Sequence, residues 1–431
     1  MSDRSGGATA LLGMEGFVVL SMTEEEGEVW LLVETEAEPV GCPGCGVRAI
    51  GHGRSSVQVR DLPCGGRPVR LVWRKRRWRC GDFDCARQTF TEASPMIAGS
   101  LSERARVEIC RLVGEEGRSV ASVARTFGVG WSMAMGAVRE HGQHLVEAHA
   151  GLTATRALGV DEHKMLAAGP AHHTIYATQL VDLDTGRLLD VVPGRSAKSV
   201  HNWVKRHGTA ARARVVVAAI DPHAGYAKAL RQSLPSATIT VDPFHLVKLA
   251  NACIDDIRRR VQRETTGHRG RRHDPLYRIR RLLTRGYERL SDRQEDRLWS
   301  GLMRGDPFDE VGGALACKEQ LRAMYRATTA RAARRELAIF YDYAKTTGTP
   351  EVLRLSRTVK RWEREILAFF ATGHTNAKSE ARNLITEKIR RNAHGFRNFE
   401  NYRLRLLLHS GVKWQTVPTA RIRGRHPRLV A

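Results

Sequence analysis

Two stretches near the middle of the chain constrain its fold most: Ala157-Leu-Gly-Val-Asp161 and Arg214-Val-Val-Val-Ala-Ala-Ile-Asp221. Each is a short apolar run of the buried-strand kind, closed by a carboxylate. An ionised group at the end of a buried strand is costly unless it is paired or ligates something. Two of them on neighbouring strands point to convergence on a cation, although either alone would ordinarily be read as capping a turn. The surrounding pattern supplies the strands. His173 to Gly194 reads as a hairpin around Asp184-Thr185-Gly186, Ser196 caps a helix through His207, a helix starts near Gly225, and Ala237 to Asp242 is a further strand. The order β-β-β-α-β-α-β is of mixed α/β type.

From Phe244 to about Thr372 the pattern is helical, Arg-rich and without strand signals. Helix resumes over Thr375 to Asn392, and an amphipathic helix covers Asn398 to His409. The third carboxylate is expected from the Thr375 helix. Glu380 fits, with Thr375 as its cap and Asn383 and Lys388 following. Glu387, seven residues later on roughly the same helical face, is its rival. Hard oxygen ligands without local His or Cys select Mg²⁺ or Mn²⁺ over zinc. Asp242 and His245, at the close of the next strand, read plainly as a strand-end cap and a buried histidine. Glu162 and His163 flank Asp161 without an assigned role.

Upstream, Cys42-Pro-Gly-Cys45-Gly is a knuckle that turns two thiolates to one side, and Cys80 with Cys85 supplies a second pair after 34 residues. Four thiolates within tetrahedral reach are the preferred structural Zn²⁺ site. Cys64, in a Leu-Pro-Cys-Gly-Gly turn, is left out of the set. Between the pairs, Val69 to Arg79 alternates apolar and basic positions. Its Arg74, Lys75, Arg76 and Arg77 suit a ribbon laid on phosphates. Ser119 to Val138 has the features of a helix-turn-helix, with Val120, Val123 and Ala124 facing a core and Gly128 at the turn. Arg125, Trp131 and Ser132 are placed for DNA; an ordinary helical hairpin is the plain alternative.

Seventy Lys and Arg against 46 Asp and Glu leave a formal charge of +24. Such a balance favours a polyanionic partner, since each cation that neutralises a phosphate releases a counterion. Hydrophobic residues at 42% exclude wholesale disorder. The longest purely apolar stretch, Val215 to Ile220, is far short of a membrane span. The acidic segment Glu24 to Glu38 and the preceding residues do not read as a secretory signal, so a cytoplasmic, nucleoid-associated protein with reduced thiols is expected.

The order of knuckle, helix pair, Gly159-Val-Asp161-Glu-His, Ile220-Asp221-Pro-His, Val241-Asp242-Pro-Phe-His245-Leu-Val and Ser379-Glu380 through Gly395-Phe-Arg-Asn-Phe399 resembles the ISL-three family of bacterial insertion-sequence transposases. The resemblance runs from about residue 40 to about 410. It implies a multidomain α+β chain in which an all-helical insertion interrupts a ribonuclease-H-like core. The implied segments are a zinc ribbon domain (1–95), a helix-turn-helix domain (96–150), the first part of the core (151–248), the insertion (249–372), the second part carrying the catalytic Glu (373–412) and a basic tail (413–431). It further implies an Asp161, Asp221 and Glu380 triad holding Mg²⁺ or Mn²⁺, an Asp242 that orients the site and a His245 that contacts a phosphate, structural Zn²⁺ in the ribbon, and a homodimer or larger assembly on double-stranded DNA. The partners are terminal inverted repeats and target DNA. Rival readings are a DNA-binding regulator without turnover and a structure-specific nuclease.

Overall fold

In the computed structural model, residues 4–149, 151–152, 154–170 and 172–414 are described. They fall into two compact units, one drawn from Met1–Ala150 with Lys388–Ala431 and the other from Gly151–Glu387. Most of the basic tail, from residue 415 on, lies outside the described residues.

The first unit opens with α1 (Arg4–Leu12), which the sequence did not signal, and a sheet of β1 (Phe17–Glu25), β2 (Glu28–Thr35), β3 (Ile50–Cys64), β4 (Arg67–Arg79), β5 (Thr89–Thr91), β6 (Ile97–Ala98) and β7 (Leu101–Ser102). The strand path is β1-β2-β4-β3-β7-β6, with β5 paired to β4. β3 and β4 form a long antiparallel hairpin that turns at Gly65-Gly66, both with positive φ, a region that glycine enters freely. The expected alternation along β4 buries Val69, Leu71 and Trp73 against Phe17, Val33 and Val59. The acidic N-terminal strands take up part of the basic charge. Glu28 holds Arg60 at 2.8 Å and Arg70 at 3.0 Å, and Glu34 holds Arg54 at 3.0 Å and Arg74 at 3.3 Å.

Three helices follow: α2 (Glu103–Gly114), α3 (Val120–Phe127) and α4 (Trp131–His149). Ser102 and Ser119 cap the first two by accepting from Ala105 and Ser122 N–H. Gly128 ends α3 in the left-handed region at φ +63. α4 runs on to His149, with Val146 on its inner face buried.

The second unit holds a five-stranded sheet of β8 (Ala157–Leu166), β9 (Ile175–Asp182), β10 (Leu188–Pro193), β11 (Val217–Ile220) and β12 (Thr238–Val241), in the order β10-β9-β8-β11-β12. The first three are antiparallel neighbours, while β11 is parallel to both β8 and β12. Between them lie α5 (Ala197–Lys205), capped by Ser196, α6 (Thr209–Ala213) and α7 (Ala224–Ser233). The sequence placed Asp161 at the end of its strand; the structure places it within β8. Parallel pairing to β11 stops at Val160, but the Glu-His-Lys continuation keeps pairing with β9 to Leu166. Asp221 does follow the last residue of its strand directly.

The helical block comprises α8 (Pro243–Thr266), α9 (Pro275–Leu283), a 3₁₀ turn (Tyr287–Arg289), α10 (Asp292–Gly305), α11 (Glu310–Arg326), α12 (Ala330–Thr347), α13 (Pro350–Arg361) and α14 (Glu363–Thr372). Arg260 of α8 binds Glu310 of α11 at 3.0 Å and Glu351 of α13 at 2.8 Å, so one guanidinium ties three helices. α15 (Ala377–Asn392) then returns to the sheet, and the division between units falls within it. α16 (Phe399–Ser410) packs with the first unit, against α4 and α2, where Leu408 fits beside the bare backbone of Gly114 and Gly142.

Candidate active site and metal centre

β8, β11, the start of α8 and the first turns of α15 bring the expected acidic residues to one place. Asp161 is 4% exposed and Asp242 is 3% exposed. His245 lies between the other two carboxylates, its Nε2 at 2.8 Å from Asp221 Oδ2 and 3.4 Å from Glu380 Oε1. Burial, and then the negative charge of Asp221, push the Asp161 carboxyl up to about 7. Burial opposes charge on His245, but Asp221 and Asp242 outweigh it and lift the imidazole to about 10. The buried Asp161 and Asp242 and the half-buried Asp221 and Glu380 surround one histidine, a centre short of positive charge. Its donors are hard oxygens, which fit a divalent cation of the Mg²⁺ or Mn²⁺ type.

The backbone geometry is held by groups around these acids. Asp242 accepts from Phe244 N–H at 2.7 Å, capping α8, and from Asn376 N–H at 2.6 Å, fixing the start of α15. Thr375 Oγ1 accepts from Ala377 N–H at 3.3 Å, but the helix starts at Ala377 and the carbonyl that accepts its first helical bond, from Glu380 N–H, is that of Asn376, one residue after the expected cap. Asn383, one turn beyond Glu380, donates to Asp161 Oδ2 at 2.5 Å. Its own carbonyl accepts from Gln179 Nε2 at 2.5 Å, and Thr386 donates to Gln179 Oε1 at 3.3 Å. Asp161 is therefore oriented by a buried amide relay that crosses from α15 to β9 and back. Gly159, two residues before Asp161 on the same strand face, has no room for a Cβ against Ser379 and Asn376. Glu162 reaches Arg195 at 3.8 Å.

In the first unit, Cys42, Cys45, Cys80 and Cys85 place their sulfurs within 4.8 Å of one another. Among the described residues they are the one set of three or more ligating side chains drawn so close. The Cys42 and Cys85 sulfurs are 3.8 Å apart, and those of Cys45 and Cys80 are 3.4 Å apart. Gly44 N–H donates to Cys42 Sγ and Asp82 N–H to Cys80 Sγ, each at 3.4 Å. The Gly44 bond helps draw the Cys42 thiol down to about 7, while at Cys80 the Asp82 bond is outweighed by burial and the neighbouring thiols, which push it up to about 12. Backbone donors aimed at clustered sulfurs stabilise thiolates, the form that ligates zinc. Cys64 is exposed and outside the cluster.

A transposase family profile of the ISL-three type matches residues 158–406. The chain belongs to the ISL-three family of transposases. A second profile, described as the zinc-finger of transposase IS204/IS1001/IS1096/IS1165, matches residues 38–85 and thus contains all four clustered cysteines. The chain is 25% identical over 417 residues to the transposase for insertion sequence element IS1001 of Bordetella parapertussis, covering 92% of this chain and 96% of that one. It is 26% identical over 295 residues to the transposase for insertion sequence element IS1557 of Mycobacterium tuberculosis, covering 64% of each. Among solved structures, the Drosophila P element transposase strand transfer complex aligns with 71% of this chain and 91% of its own at 9% identity, with a TM-score of 0.38.

The transposase distributes its expected DNA-facing cations unevenly. Arg76 is 16% exposed at its side chain and is occupied by Thr35 and Glu36 carbonyls at 2.8 and 2.9 Å and by Glu34 at 3.7 Å. Arg74 is shared with Glu34, Lys75 lies over the Trp73 ring at 4.6 Å, and Arg77 faces solvent. Arg125, Trp131 and Ser132 are all exposed, with Ser132 as the second residue of α4. Val120, Val123 and Ala124 are buried as expected. Sequence reasoning missed Gln179 and any role for Asn376, and it named Gly159 only within a family motif. A lone glutamine inside the apolar run Ala177-Thr-Gln-Leu-Val was the available signal for the first, since a polar side chain in a buried strand needs a partner. No helix among the described residues is long and apolar enough to cross a membrane.

Proposed function

We propose that this transposase binds the terminal inverted repeats of its element and catalyses phosphodiester hydrolysis and strand transfer at an Asp161, Asp221 and Glu380 centre. The observation that carries the reading is His245, whose Nε2 lies 2.8 Å from Asp221, just after β11, and 3.4 Å from Glu380 of α15, residues 159 positions apart in sequence. Three antiparallel strands followed by two parallel ones, with acids on the adjacent β8 and β11, support a ribonuclease-H-like reading of the core. The α8–α14 block is then the insertion that precedes the catalytic Glu.

The three carboxylates would hold Mg²⁺ or Mn²⁺, which when bound supplies an activated attacking oxygen and charge stabilisation at the leaving one. The remaining work belongs to the chain. Asn383 and Gln179 fix Asp161, Asp242 fixes the helix that carries Glu380, and His245 Nε2 bridges Asp221 and Glu380. Catalysis is by positioning and charge neutralisation, with water and then a DNA 3′-hydroxyl as nucleophiles and without a covalent enzyme intermediate. The four cysteines hold structural zinc, and the α3–α4 pair with the outward-facing Arg77 meets duplex DNA. Two ends must be cut together, so a dimer or larger assembly on DNA, in the bacterial cytoplasm, is part of the reading.

The test is purified protein with labelled DNA carrying the element's own end. Metal-dependent nicking followed by joining to a target is expected. Binding without nicking would leave a regulator, and nicking without joining would leave a nuclease.

A further inference from the structure

Arg405 on α16 departs from the usual rules of burial. It is 3% exposed, and a guanidinium that deep ordinarily meets a carboxylate. Among the described residues it has none. Nη2 donates to the Arg118 carbonyl at 2.9 Å, the guanidinium lies 5.3 Å from the Phe396 ring centre, and Nε has no hydrogen-bond partner. Burial draws its pKa down to about 10.

The same side chain lines a groove of about 290 Å³ between the α3–α4 pair and the loop Asn392 to Asn398, all within the first unit. The loop turns through His394 at φ +55 and Gly395 at φ +94, burying Phe396 and leaving Arg397 exposed. Arg125 and Trp131 stand on the opposite wall, and no Asp or Glu lines the groove. Three arginines around a recess with no carboxylate form a receptor for an anion. Guanidinium and phosphate make strong charge-assisted pairs.

We propose that this groove seats a phosphate of the DNA backbone, with Arg405 below it and Arg125 and Arg397 at its rim. The Gly395-Phe-Arg-Asn-Phe399 stretch, which the catalytic centre does not use, thereby becomes part of the DNA-docking surface. Contacts of this kind set the register of a protein on the duplex without reading its sequence. The inference rests on the reading of α3–α4 as a DNA-binding pair.

The test is fluorescence anisotropy of the full-length, zinc-loaded protein with a labelled 30-base-pair duplex of mixed sequence, over a range of KCl and without added divalent cation. Arg397→Ala, Arg405→Met and the double variant are compared with wild type, and each fold is checked by its melting temperature. Both single variants are expected to weaken binding, with the slope of log K against log salt falling by about 0.9, one phosphate's worth. Because the two share one phosphate, the double variant should lose no more than either single one. Should Arg405→Met fail to fold, the exposed Arg397→Ala decides. Unchanged slopes overturn the site. Trp131→Ala separates that failure from failure of the helix-pair reading. Weakened binding by Trp131→Ala beside silent arginine variants removes the phosphate site alone, and silence in all variants removes both. Inorganic phosphate that stabilises wild type but not Arg405→Met, with unchanged DNA slopes, would make it a free-anion site and refute the DNA assignment.

Discussion

Gly159→Ala isolates the link between packing and chemistry. A Cβ at this position would stand 2.7 Å from Leu183 Cδ2 and 2.9 Å from Asn376 Oδ1, and closer still to Ser379 Oγ. Carbon contacts are comfortable at about 3.5–4.0 Å, so something must move by about 1 Å. Asn376 is 0% exposed and Ser379 is 1% exposed, which leaves them no free space to rotate into. The relief is a shift of α15 away from β8. Overpacking of this kind costs about 1–3 kcal/mol, which a urea melt would read. The larger effect falls on the reaction, because α15 carries both Glu380 and the Asn383 that orients Asp161. A displacement of about 1 Å in a reacting constellation costs about a hundredfold in rate. Single-turnover nicking of labelled element-end DNA should show that loss, with DNA affinity unchanged. Adding Ser379→Ala removes the nearest obstacle and should restore part of the rate. A Gly159→Ala protein that nicks at the wild-type rate would refute the claim that close approach of α15 to β8 positions the acids.

The remaining expectations concern the supports of the two units. Asn383→Ala and Gln179→Leu should each lower the nicking rate about 10–100-fold and raise the Mg²⁺ requirement while leaving the fold intact, as loss of a partner that orients a metal ligand does. Zinc analysis of the purified protein should find about one equivalent per chain, lost in Cys42→Ser and in Cys80→Ser and retained in Cys64→Ser. Asp61 is 1% exposed and accepts from Ser102 at 2.5 Å and Arg104 Nε at 2.9 Å. Asp61→Ala strands that guanidinium and should cost about 3 kcal/mol in a denaturant melt of the first unit.

Local chemistry made much of this molecule legible in its sequence. Ser119 and Ser196 announce their helices because a hydroxyl satisfies an orphan N–H wherever it stands. Asp221 stands out because a buried strand does not end on an unpaired charge without reason, and the structure gives it His245 as a partner at 2.8 Å. What escaped depends on partners distant in sequence. Gln179 and Asn383 are 204 residues apart, and neither is unusual until the helix lies on the strand. The alternation along β4 was legible, but its consequence was not: Arg74 and Arg76 look like DNA contacts until Glu34, on a strand paired in parallel with β4, is seen to engage them. The leucines of α16 likewise signal an apolar face without naming α2 and α4 as what it covers.

The central claim is that Asp161, Asp221 and Glu380 are the acids of the reaction. It is tested most directly by strand transfer on element-end DNA with Asp161→Asn, Asp221→Asn, Glu380→Gln and, as the comparison, Glu387→Gln, each shown to bind the same DNA. The first three should be silent, with rates down by about a thousandfold or more, and Glu387→Gln should join ends within a few-fold of wild type. Sustained joining by Asp221→Asn, or silence of Glu387→Gln beside an active Glu380→Gln, would contradict the account.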